Sequence, residues 1–306
     1  MRIFLTGATG YIGSAVLDAL VRAGHQVTAL VRDNEKAARV AARGAHPVVG
    51  NLADPESFRA MADAQDGYIH TAFEESQNGV ALDRHTIDAL LAAARRPRTS
   101  NSLNAGPRFL IYTSGVWVVG RAPEAVDESA PLNPVALVEW RVEHERVVLE
   151  ANGSQLRTAV VRPGVVYGGG SGIMADLFKM AWNGLVRVVG DGNNHWATVY
   201  DRDLADLYVK IAADDSASGV FNANDEGDET VNDIVAAVGP YLPHKPDVRY
   251  VPIEEARAKM GPVADALALD QVIRSARSRA IGWNPSLHSV AGNAARLLEE
   301  WRASRS

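Results

Sequence analysis

Short runs of β-branched and apolar residues alternate with longer Ala- and Leu-rich segments through the first half of the chain. The runs at 2–5, 26–31, 45–49, 67–70, 108–113 and 157–162 predict strands, and the segments at 10–23, 35–43, 55–64, 81–95 and 134–152 predict helices. Such alternation is the pattern of parallel strands joined by crossover helices, so the expected fold class is α/β, a doubly wound parallel sheet. Beyond 162 the texture changes to Gly- and Asn-rich loops with scattered aromatics, although 203–214 and 229–238 still read as helices and 219–222 as a late strand. A first domain over 1–165, to which 199–225 returns, and a smaller lobe made of 166–198 and 226–306 are therefore expected. The polar stretch 95–107 reads as a surface loop whose charges solvate it.

Composition narrows the chemistry. The 306 residues are 47% hydrophobic, enough for a sizeable core, and a net charge of −6 supplies no general field for polyanions, so nucleic acid is not an expected partner. With no Cys there is no disulfide, thiolate nucleophile or Cys-ligated metal, and the eight His lack the spacing of a zinc helix, so no metal is expected. No apolar stretch approaches the roughly 20 residues needed to cross a bilayer. A cytoplasmic protein acting on a small molecule, as a monomer or homodimer, follows as the expectation. Neither a Gly-x-Ser-x-Gly elbow nor a phosphate-binding Gly-x-x-x-x-Gly-Lys loop is present.

One motif stands where chemistry would be placed. Thr6-Gly7-Ala8-Thr9-Gly10-Tyr11-Ile12-Gly13 falls between the first predicted strand and the first predicted helix. There glycines permit a tight turn and close approach of backbone to a pyrophosphate, which faces free N–H groups and the helix dipole. A dinucleotide on Gly7, Thr9, Gly10, Tyr11 and Ile12 is the expected occupant. The second strand ends Leu30-Val31-Arg32, with Val31 where an acid would accept from a ribose 2′-hydroxyl and Arg32 suited to a 2′-phosphate, so NADP(H) is favoured over NAD(H). The plainer role for Arg32 is a surface ion pair with Asp33 or Glu35. Asn51 and Leu52 could line the adenine edge.

In this order the motifs resemble the extended short-chain dehydrogenase/reductases, the NAD-dependent epimerase/dehydratase group. The resemblance covers most of the chain: Thr6–Gly13, Gly50–Leu52, Ile69-His70-Thr71-Ala72, Ile111–Gly120, Arg162–Gly168, Asp201–Ala205 and Ile281–Pro285. It implies a Rossmann fold with about seven parallel strands, a small C-terminal substrate lobe, and Thr71, Ala72, Pro163 and Arg141 as further cofactor contacts. The family's catalytic set is a Ser or Thr after the fifth strand and a Tyr-x-x-x-Lys helix. Here Gly115 takes the usual hydroxyl position, with Ser114 one residue away, while Leu137 and Arg141 take the Tyr and Lys positions. The resemblance is to an atypical subgroup lacking Tyr-x-x-x-Lys, and no Tyr occurs between Gly120 and Tyr167.

Other groups must then move the proton. Ser114 and Tyr167 follow strand ends and are the expected catalytic residues with Arg141, which cannot act as an acid because its guanidinium stays protonated. The alternative for Arg141 is an ion pair with Glu145 one turn on. For Tyr167 the commoner role in its segment is packing. His195 and Tyr200 are further candidates, and His144, among charged residues, is expected to be solvated. Trp196 falls at or near the position where nucleotide-sugar enzymes of this family carry an Arg for the substrate diphosphate. With Phe73, Trp117, Trp182 and His195 it suggests a pocket for a small, mostly apolar compound. Asp201 and Asp203 are expected to serve the start of a helix. Three functions remain open: an NADP(H)-dependent oxidoreductase with an unusual proton donor, a non-redox lyase, isomerase or cyclase on the same scaffold, and a catalytically silent NADP(H) sensor.

Overall fold

The computed structural model describes residues 1–97 and 106–305, so most of the loop expected at 95–107 lies outside the described residues. In chain order the first elements are β1 (Arg2–Thr6), α1 (Tyr11–Arg22), β2 (Gln26–Val31), α2 (Asn34–Ala41), β3 (His46–Val49), α3 (Arg59–Asp63), β4 (Gly67–His70), α4 (Gly79–Ala94) and β5 (Arg108–Thr113). There follow β6 (Ala122–Val126), α5 (Trp140–Glu150), β7 (Leu156–Pro163), β8 (Val165–Tyr167), α6 (Gly172–Trp182), β9 (Leu185–Val189), β10 (Thr198–Tyr200), α7 (Asp201–Ala213) and β11 (Gly219–Ala223). The chain closes with α8 (Val231–Val238), β12 (Asp247–Val251), α9 (Ile253–Met260), α10 (Val263–Leu267), β13 (Gln271–Ile273), α11 (Ala276–Ala280) and α12 (Ala294–Ala303).

Two compact units divide these elements. The first comprises 1–114, 143–161 and 204–221, and the second 115–142, 162–203 and 222–306. The first is built on a seven-stranded Rossmann-type sheet of order β11-β7-β5-β4-β1-β2-β3, in which β1–β5 and β7 pair in parallel. Its strands are buried on both faces except β3, an edge strand carrying Pro47, where a missing N–H costs no ladder bond. Helix α1 packs through Gly13, Val16, Leu17 and Leu20, the spacing of one helix face. Helix α4 does the same through Thr86, Ile87, Leu90, Leu91 and Ala94, with Asp83 at the head of that stripe.

The second unit is held by three short parallel pairs, β10 with β8, β12 with β9 and β13 with β6. Its main core joins Met174 and Phe178 of α6, Ile234 and Val238 of α8, and Leu297 and Trp301 of α12. The domain boundary expected from sequence needs correction here. Residues 115–142 belong to the second unit, because β6 pairs with β13 and Val116, Val118 and Val138 cluster with Ala197 and Ile273. The helix expected over 134–152 starts only at Trp140, after a 3-10 turn at Ala136–Val138 that follows Pro134. Likewise 55–64 divides into a turn at Pro55–Ser57 and the short α3. Among the described residues no helix is long and apolar enough to cross a membrane.

Candidate active site

In the first unit the sheet order reverses between β1 and β4, and ligands of open α/β sheets gather outside the strand ends at such a point. The glycine turn leaves β1 there, and Thr71-Ala72-Phe73 leaves β4. The Thr71 hydroxyl donates to the Thr6 carbonyl at 2.8 Å, drawing the two loops together. Gly7 has φ +80°, and a Cβ on it would come within 2.6 Å of the Ala72 nitrogen, while one on Gly13 would collide with the Gly7 carbonyl oxygen. By contrast Gly10, which caps α1 in an extended conformation, is exposed and meets only the Gly7 oxygen at 3.2 Å. The first turn of α1 carries no acidic side chain. An open floor at a helix N-terminus, closed beneath by a contact only glycines allow, fits a pyrophosphate.

Arg32 follows β2 with its side chain 67% exposed, and its partner is Glu74 at 3.6 Å rather than Asp33 or Glu35. Asp33 is engaged elsewhere, accepting from the Lys36 backbone at 2.8 Å and its ammonium at 2.9 Å as the cap of α2. Those bonds hold its carboxyl below the usual carboxylate range. Asn51 closes a turn by accepting from the Ala53 N–H at 3.0 Å, and Leu52 packs on the core. Thr9 is half-buried, as are Tyr11, Ile12, Thr71 and Ala72, while Phe73 is 44% exposed.

At the end of β5 the two hydroxyls differ. Thr113 Oγ1 lies 2.6 Å from the Tyr208 hydroxyl on α7 and is thereby occupied. Ser114 is 8% exposed, and its Oγ has no hydrogen-bond partner among the described residues. A buried hydroxyl left unpaired costs about 1–3 kcal/mol, a cost a ligand oxygen would remove.

Sequence reasoning missed a buried polar network below this strand end. Asp83 Oδ2 accepts from the Tyr112 hydroxyl at 2.9 Å and lies 2.7 Å from His144 Nδ1. His70 Nε2 is 3.2 Å from Asp83 Oδ1, not aligned for a hydrogen bond, and His70 Nδ1 is 2.6 Å from Thr6 Oγ1. The expectation of a solvated His144 is thus overturned. Helix α5 turns His144, Glu145 and Val148 inward, and Asp83 provides the acceptor that makes a buried imidazole affordable.

The second unit holds the remaining candidates. Leu137, at the family's Tyr position, packs on the cluster of Val116, Val118 and Val138. The Arg141 guanidinium lies over the Trp140 ring at 4.4 Å. Tyr167 is fully buried, its ring tilted against that of Tyr200 at 5.6 Å, and burial, then the Asp225 charge, pushes its hydroxyl above the ordinary tyrosine range. It sits in the core, the packing role named for its segment above. Burial pushes Asp225 itself up to about 6. Pro163 ends β7 in a fully buried run. Trp182 packs against Trp301 at 5.9 Å under the Arg302 guanidinium, and Trp117 packs between two clusters. Asp203 is structural as well, accepting from the Leu287 N–H at 3.1 Å, while burial raises Asp201 to about 6.

His195 and Trp196 remain. His195 Nδ1 lies 2.8 Å from Asp270 Oδ1, which also accepts the His195 backbone N–H at 2.9 Å. Burial alone would raise Asp270, but the His195 bonds and the charges of His195 and Arg121 hold it below the usual carboxylate range. A half-buried imidazole fixed at one nitrogen by a carboxylate is an arrangement able to move a proton through the other. Trp196 is 7% exposed and donates through Nε1 to the Leu267 carbonyl at 3.0 Å. It borders a cavity of about 210 Å³ lined mainly by apolar side chains, with Asp176 and Arg187 as the charged residues of the lining. Among the described residues no group of His and acidic side chains is arranged to hold a metal.

Comparison with known proteins gives the family and the fold. The family model for the NAD dependent epimerase/dehydratase family matches residues 3–223. The chain is 30% identical to the uncharacterized protein C2A9.02 of Schizosaccharomyces pombe over 95% of this chain and 96% of that one. It is also 30% identical to the 2-alkyl-3-oxoalkanoate reductase of Stenotrophomonas maltophilia, over 78% of this chain and 76% of that one. The fold is similar to that of human epimerase family protein SDR39U1 (isoform 2), solved with NADPH, with a TM-score of 0.79, 21% identity and coverage of 98% and 99%. The chain belongs to the NAD dependent epimerase/dehydratase family and is an NAD(P)-dependent enzyme of the short-chain dehydrogenase/reductase type.

Proposed function

We propose that this enzyme is an NADPH-dependent reductase of small, largely apolar carbonyl compounds. The observation that carries the reading is the Ser114 hydroxyl, buried and without a partner directly after β5. It donates to the substrate carbonyl oxygen and so polarises the carbon toward nucleophilic attack. The α1 N-terminus and the glycine turn hold the pyrophosphate, Arg32 the 2′-phosphate, and Asn51 and Leu52 the adenine side. NADPH, when bound, supplies a hydride and leaves as NADP⁺. The carbon gains the hydride, the oxygen gains one proton, and the product is the alcohol. That proton comes from water or from an acid side chain, and within the second unit His195, oriented by Asp270, is an acid of that kind. The apolar cavity at Trp196 supports the substrate class, as does a relative whose name describes reduction of an oxo acid. A cytosolic location, as a monomer or homodimer, completes the proposal.

Cofactor choice is tested at Arg32. Loss of a charge-assisted contact in Arg32→Ala should weaken NADPH at least about tenfold and leave NADH nearly unchanged, as read by titration calorimetry. Glu74 competes for the same guanidinium, so Glu74→Gln should tighten NADPH by up to about fivefold, the range of an exposed ion pair. Equal effects on the two dinucleotides would remove the 2′-phosphate assignment.

The proton donor is tested by His195→Gln, which keeps a polar side chain and cannot protonate. We expect kcat to fall about 10²-fold with little change in KM. An unchanged kcat would assign the proton to another group. Packing of Leu137 where the family keeps its tyrosine also suits a non-redox lyase or isomerase. Substrate turnover without NADPH consumption would establish that alternative, and NADPH binding without any turnover would indicate a sensor.

A further inference from the structure

We propose that the cavity beside Trp196 is a socket for an unbranched alkyl chain of about seven carbons. All residues that line the cavity belong to the second unit. Its walls include Ile173, Leu177 and Met180 of α6, Val188 of β9, Val231 of α8 and Leu267 of α10. The Trp196 indole closes it with its one polar atom already spent on the Leu267 carbonyl, so the ring offers carbon to an occupant and no donor.

The charges of the lining say what the occupant is not. Asp176 and Arg187 are both exposed, of opposite sign, and neither makes an ion pair among the described residues. Together they attract neither a dianion nor a dication, which disfavours a diphosphate group at this position. A polar head of no net charge can sit beside them while its chain leaves water. An apolar cavity of roughly 150 Å³ takes up benzene, so one of about 210 Å³ accommodates a chain of about seven carbons.

Each methylene buried in such a space should improve binding about fourfold. The full-length protein, with NADP⁺ bound so that no turnover occurs, is titrated calorimetrically with the alkan-2-ones from butan-2-one to undecan-2-one. We expect affinity to rise about fourfold per carbon until about seven chain carbons are buried, and then to level. Met180→Trp and Ile173→Trp, both at half-buried positions, fill the socket from different sides and should move the plateau to shorter chains, with melting curves confirming that each variant is folded. An affinity independent of chain length in the parent protein, or a plateau unmoved in both folded variants, would overturn the socket. NADPH oxidation measured over the same series separates the two proposals. Oxidation with flat chain-length dependence overturns the socket and supports the reductase, whereas length-dependent binding without oxidation supports the socket and overturns the reductase.

Discussion

Ser114→Ala should lower kcat for NADPH-dependent carbonyl reduction by about 10²- to 10³-fold, the usual effect of removing one preorganised donor to a developing oxyanion. The hydroxyl has no hydrogen-bond partner among the described residues, so the substitution removes an unsatisfied hydroxyl and no internal hydrogen bond. The variant should accordingly be as stable as the parent or slightly more so, and NADPH affinity should be unchanged. This combination distinguishes a substrate-polarising hydroxyl from a structural one, whose loss would lower the melting temperature and spare kcat. The neighbouring Thr113 provides an internal control. Its hydroxyl is held by Tyr208, so Thr113→Val should cost stability before it costs turnover.

Asp83→Ala should destabilise the first unit by about 3–5 kcal/mol, the cost of removing one partner from a buried charged network. Tyr112 and His144 would lose their shared acceptor, and His70 its facing carboxylate. Against the 5–15 kcal/mol that separates most folded domains from their unfolded chains, that loss is a large fraction. Asp83→Asn retains one acceptor oxygen and should cost less than Asp83→Ala. The measurement is the midpoint of urea unfolding followed by far-UV circular dichroism. All six Trp residues lie in the second unit, so Trp emission reports that unit. A circular dichroism midpoint that falls ahead of the Trp midpoint would place the damage where the network lies. An unchanged midpoint would mean that the network carries no net stability.

Much of the first unit could be read from the order of residues. All seven strands of its sheet fall within a residue or two of their expected positions, because strands buried on both faces are continuous apolar runs between turn residues. The glycine turn was equally legible, since only glycine survives the contacts at Gly7 and Gly13. The strands of the second unit span only three to five residues each, too few for a period to declare itself, and so β6, β8, β9, β10, β12 and β13 went unseen. The helix α6 was hidden by the glycines just before it.

The site was legible only where chemistry follows strand ends. Ser114 could be proposed from its place after β5, but that the neighbouring Thr113 hydroxyl is the one held depends on Tyr208, 95 residues distant in sequence. Asp83 did leave a signal: an acid on a stripe whose other members are Thr86, Ile87, Leu90, Leu91 and Ala94 must be buried and therefore paired. His144 misled because its immediate neighbours are charged, whereas burial is decided by helix face. The His195–Asp270 pair joins residues 75 apart, and no local pattern announces it.

Hydride transfer is the central claim, and the most direct measurement uses NADPH deuterated at nicotinamide C4. The protein is supplied with the labelled cofactor and an alkan-2-one, and the product is analysed by mass spectrometry and NMR. The account predicts one deuterium on the carbinol carbon for each NADP⁺ formed, from one face of the nicotinamide only. Conversion of substrate with no deuterium in the product and no NADP⁺ formed would contradict it.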